Sequence, residues 1–230
     1  VSVATGGAEA TGGASIWPSI SGDGRYVAFA SGKNNLIAGD SNGAQDIFVH
    51  DLQGLITERV SVSSAGVQAG AGSVVPSISP DGNRVTFQSS ANNLIASDAN
   101  GFDDVFLRDR QAGTTILVSQ STDGTQGNSG SGNNSRAGLS TDGSVILFSS
   151  AANNLVSGDS NAAMDVFVRK LATQETLLVS RSKTGAQGLT ASQTPWLSHS
   201  CNYAAFPSTS GNLVDGDTHG IADVFFVPFL

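Results

Sequence analysis

The stretch DSNGAQDIF, residues 40–48, decides the fold because it recurs three more times along the chain. The copies are DANGFDDVF at 98–106, DSNAAMDVF at 159–167 and DTHGIADVF at 217–225, spaced by 58, 61 and 58 residues. The residues upstream of each copy also repeat, as GKNNLIAGD, SANNLIASD, AANNLVSGD and the shorter SGNLVDGD. Self-similarity at one period over the whole chain is the signature of repeat architectures. We therefore predict four equivalent structural units.

Within one repeat, alternating apolar residues and turn punctuation predict four short β-strands. In the second repeat these are PSIS (76–79), NRVTFQS (83–89), DVFLRDR (104–110) and TTILVSQ (114–120). Four antiparallel strands per repeat form the blade of a β-propeller.

The composition agrees with an all-β fold. The 28 glycines and the 13% share of charged residues favour short strands and tight turns over long helices. Eight of the eleven phenylalanines fall at two equivalent points of the repeat, where we expect them to form the core. They are Phe29, Phe87, Phe148, Phe206, Phe48, Phe106, Phe167 and Phe225.

The two ends of the chain suggest how such a ring closes. The last repeat stops at DVFFVPFL (223–230), its third predicted strand, and VSVAT (1–5) matches the RVSVSS segment at 59–64. If residues 1–5 supply the fourth strand of the last blade, two sheet edges are covered. We therefore predict that residues 1–230 form a single domain, a closed four-bladed β-propeller of four-stranded antiparallel blades. The alternative is a larger ring shared with another copy.

The segments PSISGDGRYVAFAS (18–31) and PSISPDGNRVTFQS (76–89) resemble the WD40-like (PD40) repeat of bacterial TolB-type propellers. The resemblance covers all four repeats. It weakens where Ala137 replaces the proline and where Ser200-Cys201 replaces Asp-Gly. The resemblance implies a secreted or periplasmic bacterial protein that serves as a platform for binding other molecules. Because fold does not fix function, this implication is only an expectation.

Each Asp/Asn loop is a candidate cation site. Calcium prefers several oxygen ligands, with carboxylates at alternating positions of a short loop. The sequence therefore suggests structural Ca²⁺ in each blade, although His219 replaces the asparagine of the fourth loop. The alternative is a hydrogen-bonded turn, because Asp and Asn also cap turns through nearby backbone amides. The candidate ligands are Asp40, Asn42, Asp46, Asp98, Asn100, Asp104, Asp159, Asn161, Asp165, Asp217 and Asp223.

Charge and hydropathy exclude two classes of partner. A net charge of −8 repels a phosphate backbone, so we expect no nucleic acid partner. No run of about 18 apolar residues exists, so we expect no membrane-spanning segment.

The chain shows no constellation typical of catalysis. It lacks a phosphate-binding loop, a dinucleotide fingerprint, an HExxH motif and a G-x-S-x-G elbow. None of its histidines, His50, His199 and His219, is predicted to act as a catalyst. We therefore predict that the chain is not an enzyme and has no catalytic residues.

Symmetry-breaking aromatic residues suggest a binding face. Trp17, Trp196 and Phe229 have no equivalents in the other repeats and are its candidates. We predict a binding or assembly module that presents loops and a disc face to a protein or glycan. The alternatives are a hydrolase acting on carbohydrate or peptide at the propeller's central mouth, and a structural subunit of a larger cell-surface or membrane-associated complex.

Overall fold

The computed structural model describes residues 2–198 and 201–229. These residues form strands, turns and loops, and no helix occurs among them. No described helix is therefore long and apolar enough to cross a membrane. The chain divides into two compact units, the first ending at Leu117 and the second beginning at Val118.

The first unit contains two antiparallel sheets of four strands each, in the orders β1-β2-β3-β4 and β5-β6-β7-β8. Every strand pairs with the next strand in sequence, as predicted for one blade per repeat. The strands are β1 (Ser15–Ile20), β2 (Tyr26–Ser31), β3 (Asp46–Asp51), β4 (Ile56–Arg59), β5 (Ser73–Ile78), β6 (Arg84–Ser89), β7 (Asp104–Asp109) and β8 (Thr114–Leu117).

The second unit repeats this plan with one difference. Its first sheet has four strands in the order β9-β10-β11-β12, whereas the described residues of its other sheet form only three, β13-β14-β15. The strands are β9 (Gly138–Leu139), β10 (Val145–Ser150), β11 (Asp165–Lys170), β12 (Glu175–Leu178), β13 (Trp196–Leu197), β14 (Tyr203–Ser208) and β15 (Asp223–Pro228). The prediction of an all-β chain with one antiparallel sheet per repeat is confirmed.

The predicted phenylalanine columns form the core of each sheet. In every repeat the two rings lie opposite each other on the second and third strands and stack, with centroids 5.8 to 6.1 Å apart. All eight side chains are buried. Because buried aromatic rings supply much of the apolar contact in a small sheet, this pair accounts for the strict recurrence of phenylalanine in the sequence.

The Asp-Gly turn between the first and second strands depends on glycine. Gly82 has φ +73°, and a Cβ atom there would lie only 2.2 Å from Cδ2 of Tyr26. We expect Gly82→Ala to lower the free energy of unfolding by about 3 kcal/mol, from left-handed backbone strain and overpacking together. Gly101 has the same φ but open space around it, so Gly101→Ala is the matched control for backbone strain alone. Denaturant unfolding measures both, and equal losses would contradict the predicted contact with Tyr26.

Closure by residues 1–5 is not confirmed. Val1 lies outside the described residues, and residues 2–5 form no strand beyond an isolated bridge between Val3 and Glu9. Instead, Thr57 Oγ1 on β4 donates a hydrogen bond to the Val3 carbonyl at 2.6 Å. The segment 59–64, which VSVAT matches, begins at Arg59, the last residue of β4, and its Val60 amide donates to the Ile47 carbonyl of β3 at 2.8 Å.

Candidate functional site

The loop of the first repeat surrounds a buried carboxylate. Asp46 is fully buried, and its Oδ1 accepts a hydrogen bond from Ser61 Oγ at 2.6 Å. Its Oδ2 accepts one from Gln68 Nε2 at 2.9 Å and one from Asn42 Nδ2 at 3.2 Å. Gln68 Nε2 also donates to Asp40 Oδ1 at 2.8 Å, so one carboxamide joins both carboxylates. The loop is therefore fastened to the segment that follows β4.

The third repeat reproduces this network. Asp165 is fully buried and accepts hydrogen bonds from Ser180 Oγ at 2.5 Å, Asn161 Nδ2 at 2.9 Å and Gln187 Nε2 at 2.9 Å. Gln187 Nε2 again donates to the first carboxylate of the loop, at Asp159 Oδ1, at 2.6 Å. The recurrence shows that the network belongs to the repeat itself.

In the second repeat, the equivalent carboxylate of Asp104 is also buried, and Asn100 Nδ2 donates to its Oδ2 at 2.8 Å.

Burial raises the pKa of the Asp46 and Asp165 carboxyls above the usual value. The hydrogen bonds from Ser61 and Gln68 on Asp46, and from Ser180, Gln187 and Asn161 on Asp165, oppose this shift because they stabilise the ionised form.

The polar groups of the first loop are engaged with one another. The carboxylate oxygens of Asp46 face N–H and O–H donors, and the Arg59 guanidinium lies 3.3 Å from Asp46 Oδ2 and 3.4 Å from Asp40 Oδ1. Asn42 Oδ1, a candidate ligand, accepts the Ala44 amide at 2.9 Å, which is an Asx turn. Across residues 2–198 and 201–229, no group of three or more His, Cys, Asp or Glu side chains could hold a metal ion.

The sequence reasoning overlooked the serine and glutamine that complete the network. Their signal was present, because a serine followed seven residues later by a glutamine recurs after the fourth strand of three repeats. The pairs are Ser61 and Gln68, Ser119 and Gln126, and Ser180 and Gln187.

The fourth loop differs from the other three. Asp223 is exposed, although its equivalents Asp46 and Asp165 are fully buried. The contact between Asp217 and His219 is a long one, from the His219 amide to Asp217 Oδ1 at 3.4 Å. Among the described residues, β15 is the last strand of this sheet.

The fourth sheet also exposes an apolar face. Trp196, Tyr203, Val224 and Phe226 are 72, 38, 78 and 66% exposed. Trp196 on β13 and Phe226 on β15 both lie opposite Ala205 of β14, which runs between these two strands. The three side chains therefore lie on one face of the sheet. Tyr203 stacks on Phe226 with ring centroids 4.6 Å apart. We call these four side chains the aromatic face.

A cavity of about 860 Å³ lies along β15. Val224 and Phe226 line it together with the fourth loop, which contributes Asp217, His219 and Asp223. Strand β15, the exposed apolar side chains and the carboxylates of the fourth loop therefore meet in one place. We take this region as the candidate functional site.

The three predicted binding residues differ in burial. Trp17 belongs to the first unit and is partly buried against its core. Phe229 packs in the same way against the core of the second unit. Of these three candidates, only Trp196 presents an exposed side chain.

The two described histidines differ in burial. His50 is buried, its Nδ1 lies 2.8 Å from Thr57 Oγ1, and burial lowers its pKa. His219 is exposed at the fourth loop. His199 lies outside the described residues.

The fold is similar to those of solved β-propeller proteins. TolB from Acinetobacter baumannii shares 15% identity over 94% of this chain and 44% of its own, with a TM-score of 0.53. The β-propeller domain of the trilobed protease from Pyrococcus furiosus, described as having an open velcro topology, shares 10% identity over 95% of this chain and 56% of its own, with a TM-score of 0.53. The tricorn protease shares 10% identity over 90% of this chain and 17% of its own, with a TM-score of 0.52.

These comparisons confirm a TolB-like propeller fold and nothing finer, because identities of 10 to 15% show the fold alone. The chain spans about half the length of the first two structures and 17% of the third. No family model matches the chain. No curated protein matches its sequence.

The prediction that the chain is not an enzyme is wrong. Propellers of this fold occur in the trilobed protease and the tricorn protease, which are enzymes by their names. The propeller fold and the absence of familiar motifs therefore do not exclude catalysis. The likeness assigns no reaction to this chain.

Proposed function

We propose that the chain is a binding or assembly module and that the fourth sheet is its contact surface. The observation that carries this proposal is the exposure of Val224 and Phe226. Their equivalents in the third repeat, Val166 and Val168, are fully buried in the core that the third and fourth sheets share. The same side-chain positions thus form a packing surface elsewhere in the protein. An exposed apolar surface of this kind marks an interaction site.

The partner we propose is a protein, because the exposed positions are ones that pack against a sheet in the other repeats. A glycan stacking on Trp196 and Tyr203 is the competing outcome. In keeping with the resemblance to bacterial TolB-type repeats, we place the module in a secreted or periplasmic protein. The same exposed surface also supports a role as a subunit of a larger complex at the cell surface, because assembly requires an exposed apolar surface.

Site-specific photo-crosslinking tests this function. A photoreactive amino acid at position 226 is expected to give adducts with a polypeptide from the native host, and adding Trp196→Ser should remove them. The matched control is position 189, because Leu189 is as exposed as Phe226 but lies outside the aromatic face. Adducts of equal yield at both positions, or none at position 226, would contradict the proposal. Glycan binding that Trp196→Ser abolishes would identify the competing partner class.

Closure of the four sheets into one ring within a single domain of residues 1–230 remains a prediction. In such a ring the aromatic face would be covered, so closure and the proposed contact surface make opposite demands on Val224 and Phe226.

The sequence offered two interpretations of the loops, structural calcium and hydrogen-bonded turns, and the contacts of the described loops favour the turns. From these contacts we expect the melting temperature to be the same in millimolar Ca²⁺ and in chelator, because a ligand that binds only the folded state must stabilise it. Thermal unfolding of the chelator-treated protein measures this. A rise in melting temperature with Ca²⁺ that is lost in Asp165→Asn would instead establish the cation site.

A further inference from the structure

We infer that His50 is a pH-sensitive switch that holds residues 3–6 against β4 while its imidazole is neutral and loosens them once the imidazole is protonated. The inference concerns the first sheet and does not depend on the contact surface proposed above. The evidence is a contact that recurs in the second and third sheets, where an arginine takes the place of the histidine.

In the first sheet, hydrogen bonds to β4 and the turn before it hold residues 3–6 in place. Thr57 Oγ1 donates to the Val3 carbonyl at 2.6 Å, and the Thr57 amide donates to Thr5 Oγ1 at 3.0 Å. The Gly6 amide donates to the Leu55 carbonyl at 3.0 Å. Residues 5–9 are exposed, so hydrogen bonds and not apolar burial attach this part of the chain. An element attached in this way is one that opens locally.

The second and third sheets hold their equivalent segments by the same contact. Thr115 Oγ1 donates to the Val62 carbonyl at 2.5 Å, and the Thr115 amide donates to Ser64 Oγ at 2.9 Å. The third sheet repeats both bonds at Thr176, at 2.6 and 3.0 Å. The threonine contact therefore belongs to the repeat.

An arginine on the third strand supports this contact in the second and third sheets. Arg108 Nη1 donates to Thr115 Oγ1 at 3.1 Å and to the Ser63 carbonyl at 3.2 Å. Arg169 Nη1 makes the equivalent bonds to Thr176 Oγ1 and to the preceding segment, both at 2.9 Å. Burial lowers the pKa of both guanidinium groups, but arginine keeps its charge throughout the physiological pH range. We therefore expect these two contacts to be independent of pH.

His50 occupies this position in the first sheet and carries different chemistry. Because Thr57 Oγ1 donates its hydrogen to the Val3 carbonyl, it accepts the bond from His50 Nδ1 at 2.8 Å. The neutral ring therefore carries its proton on Nδ1. Protonation adds a charge and an Nε2–H donor, yet Thr57 is the one hydrogen-bond partner of the ring within residues 2–198 and 201–229. The imidazolium thus lacks the carbonyl contact that Arg108 makes.

Burial favours the neutral ring. His50 is 2% exposed, and burial is the main reason that its pKa lies below the usual value. The positive charge at the amino terminus acts in the same direction, whereas Asp51 opposes it. When residues 3–6 detach, the ring regains access to water and its pKa returns toward about 6.5. A pKa that is lower in the docked state means that docking is stabilised above this value and weakens as the pH falls below it.

The charged residues of β3 and β4 are paired with other groups. The pairs are Asp51 with Arg25 at 2.6 Å, Glu58 with Arg110 at 2.5 Å, and Arg59 with Asp46 at 3.3 Å. On β2, the residue opposite His50 is the uncharged Val27, and Glu9 near the docked segment is exposed. In the described part of the chain, no carboxylate accepts a hydrogen bond from the ring, so none compensates its protonation directly.

Amide hydrogen exchange of Thr57 tests this inference, with the Thr115 and Thr176 amides of the same molecule as matched controls. Protection is expressed relative to the intrinsic exchange rate, which removes the direct effect of pH on exchange. Between about pH 7.5 and about pH 5.5 we expect the protection of Thr57 to fall several-fold, and by no more than about tenfold, because the lower pH lies about one unit below the ordinary pKa of histidine. The protection of Thr115 and Thr176 should stay the same.

Substitutions at position 50 assign the response to this side chain. His50→Arg introduces the residue that the other two sheets use, so the Thr57 amide should keep its protection at both pH values. His50→Gln also removes the titrating ring and should give the same result, and it serves as the test if His50→Arg does not fold.

Unchanged protection of Thr57, greater protection at the lower pH, or an equal fall at Thr115 and Thr176 would overturn the inference. A response that persists in His50→Gln would overturn it too, and would point to Asp46, whose buried carboxyl has a raised pKa. These outcomes do not bear on the crosslinks expected at position 226, so the proposed function is tested separately.

Discussion

Asp165→Ala is expected to lower the free energy of unfolding by about 3 kcal/mol, because it leaves one buried and two partly buried donors without this acceptor. Ser180 Oγ, Asn161 Nδ2 and Gln187 Nε2 all donate to this one carboxylate. Relief from burying a charge offsets part of the loss, so the net effect is smaller than the sum of the broken bonds. Denaturant unfolding followed by intrinsic fluorescence measures the change.

The chain offers a matched control at the same repeat position. Asp223 is exposed, so Asp223→Ala should change the free energy of unfolding by less than about 0.5 kcal/mol, as is usual for surface substitutions. If both substitutions destabilise the protein equally, Asp223 has donors comparable to those of Asp165. The account of an open fourth loop would then be contradicted.

Phe167→Ala is expected to have the largest effect, a loss of about 4 kcal/mol, because it removes a fully buried aromatic ring and leaves a cavity. The ring stacks on Phe148 at a centroid distance of 5.8 Å, and this contact is lost as well. Thermal and denaturant unfolding both report the change, with the two units monitored together.

Phe226→Ala is the control for this substitution. Phe226 is two-thirds exposed and its main contact is the stack on Tyr203, so a loss of no more than about 1 kcal/mol is expected. A loss as large as that for Phe167→Ala would mean that the Phe226 side chain is covered in solution. The aromatic face would then be part of a core and not a contact surface.

The repeat made much of the fold predictable. Spacing and alternation predicted one antiparallel sheet per repeat, and the recurrence of phenylalanine predicted the stacked pair, because side chains at equivalent positions meet equivalent neighbours. The second repeat shows how closely the strands were placed, since the predicted DVFLRDR at 104–110 became β7 (Asp104–Asp109).

The repeat could not predict what happens at the end of the chain. Equivalence shows that β15 corresponds to β3, β7 and β11, but it does not show whether a fourth strand pairs with it. The match of VSVAT to the segment at 59–64 relates residues 1–5 to the end of a fourth strand, but it does not show which strand lies beside β15. Whether an edge is covered depends on which strand lies beside it in three dimensions.

The candidate site was predicted only in part. The sequence pointed to the loop carboxylates but not to their donors, because Ser61 and Gln68 lie 15 and 22 residues beyond Asp46. Composition cannot separate a carboxylate that holds a cation from one that accepts hydrogen bonds. That distinction depends on the groups around each carboxylate, and it is tested by the calcium titration above.

Amide hydrogen exchange of Val224 and Phe226, compared with Val166 and Val168 in the same protein, tests the central claim most directly. The equivalent amides of β11 face β12 and are expected to exchange slowly, whereas those of β15 face an open edge and should exchange orders of magnitude faster. Protection of Val224 and Phe226 equal to that of Val166 and Val168 in the free protein would contradict an open edge at the fourth sheet.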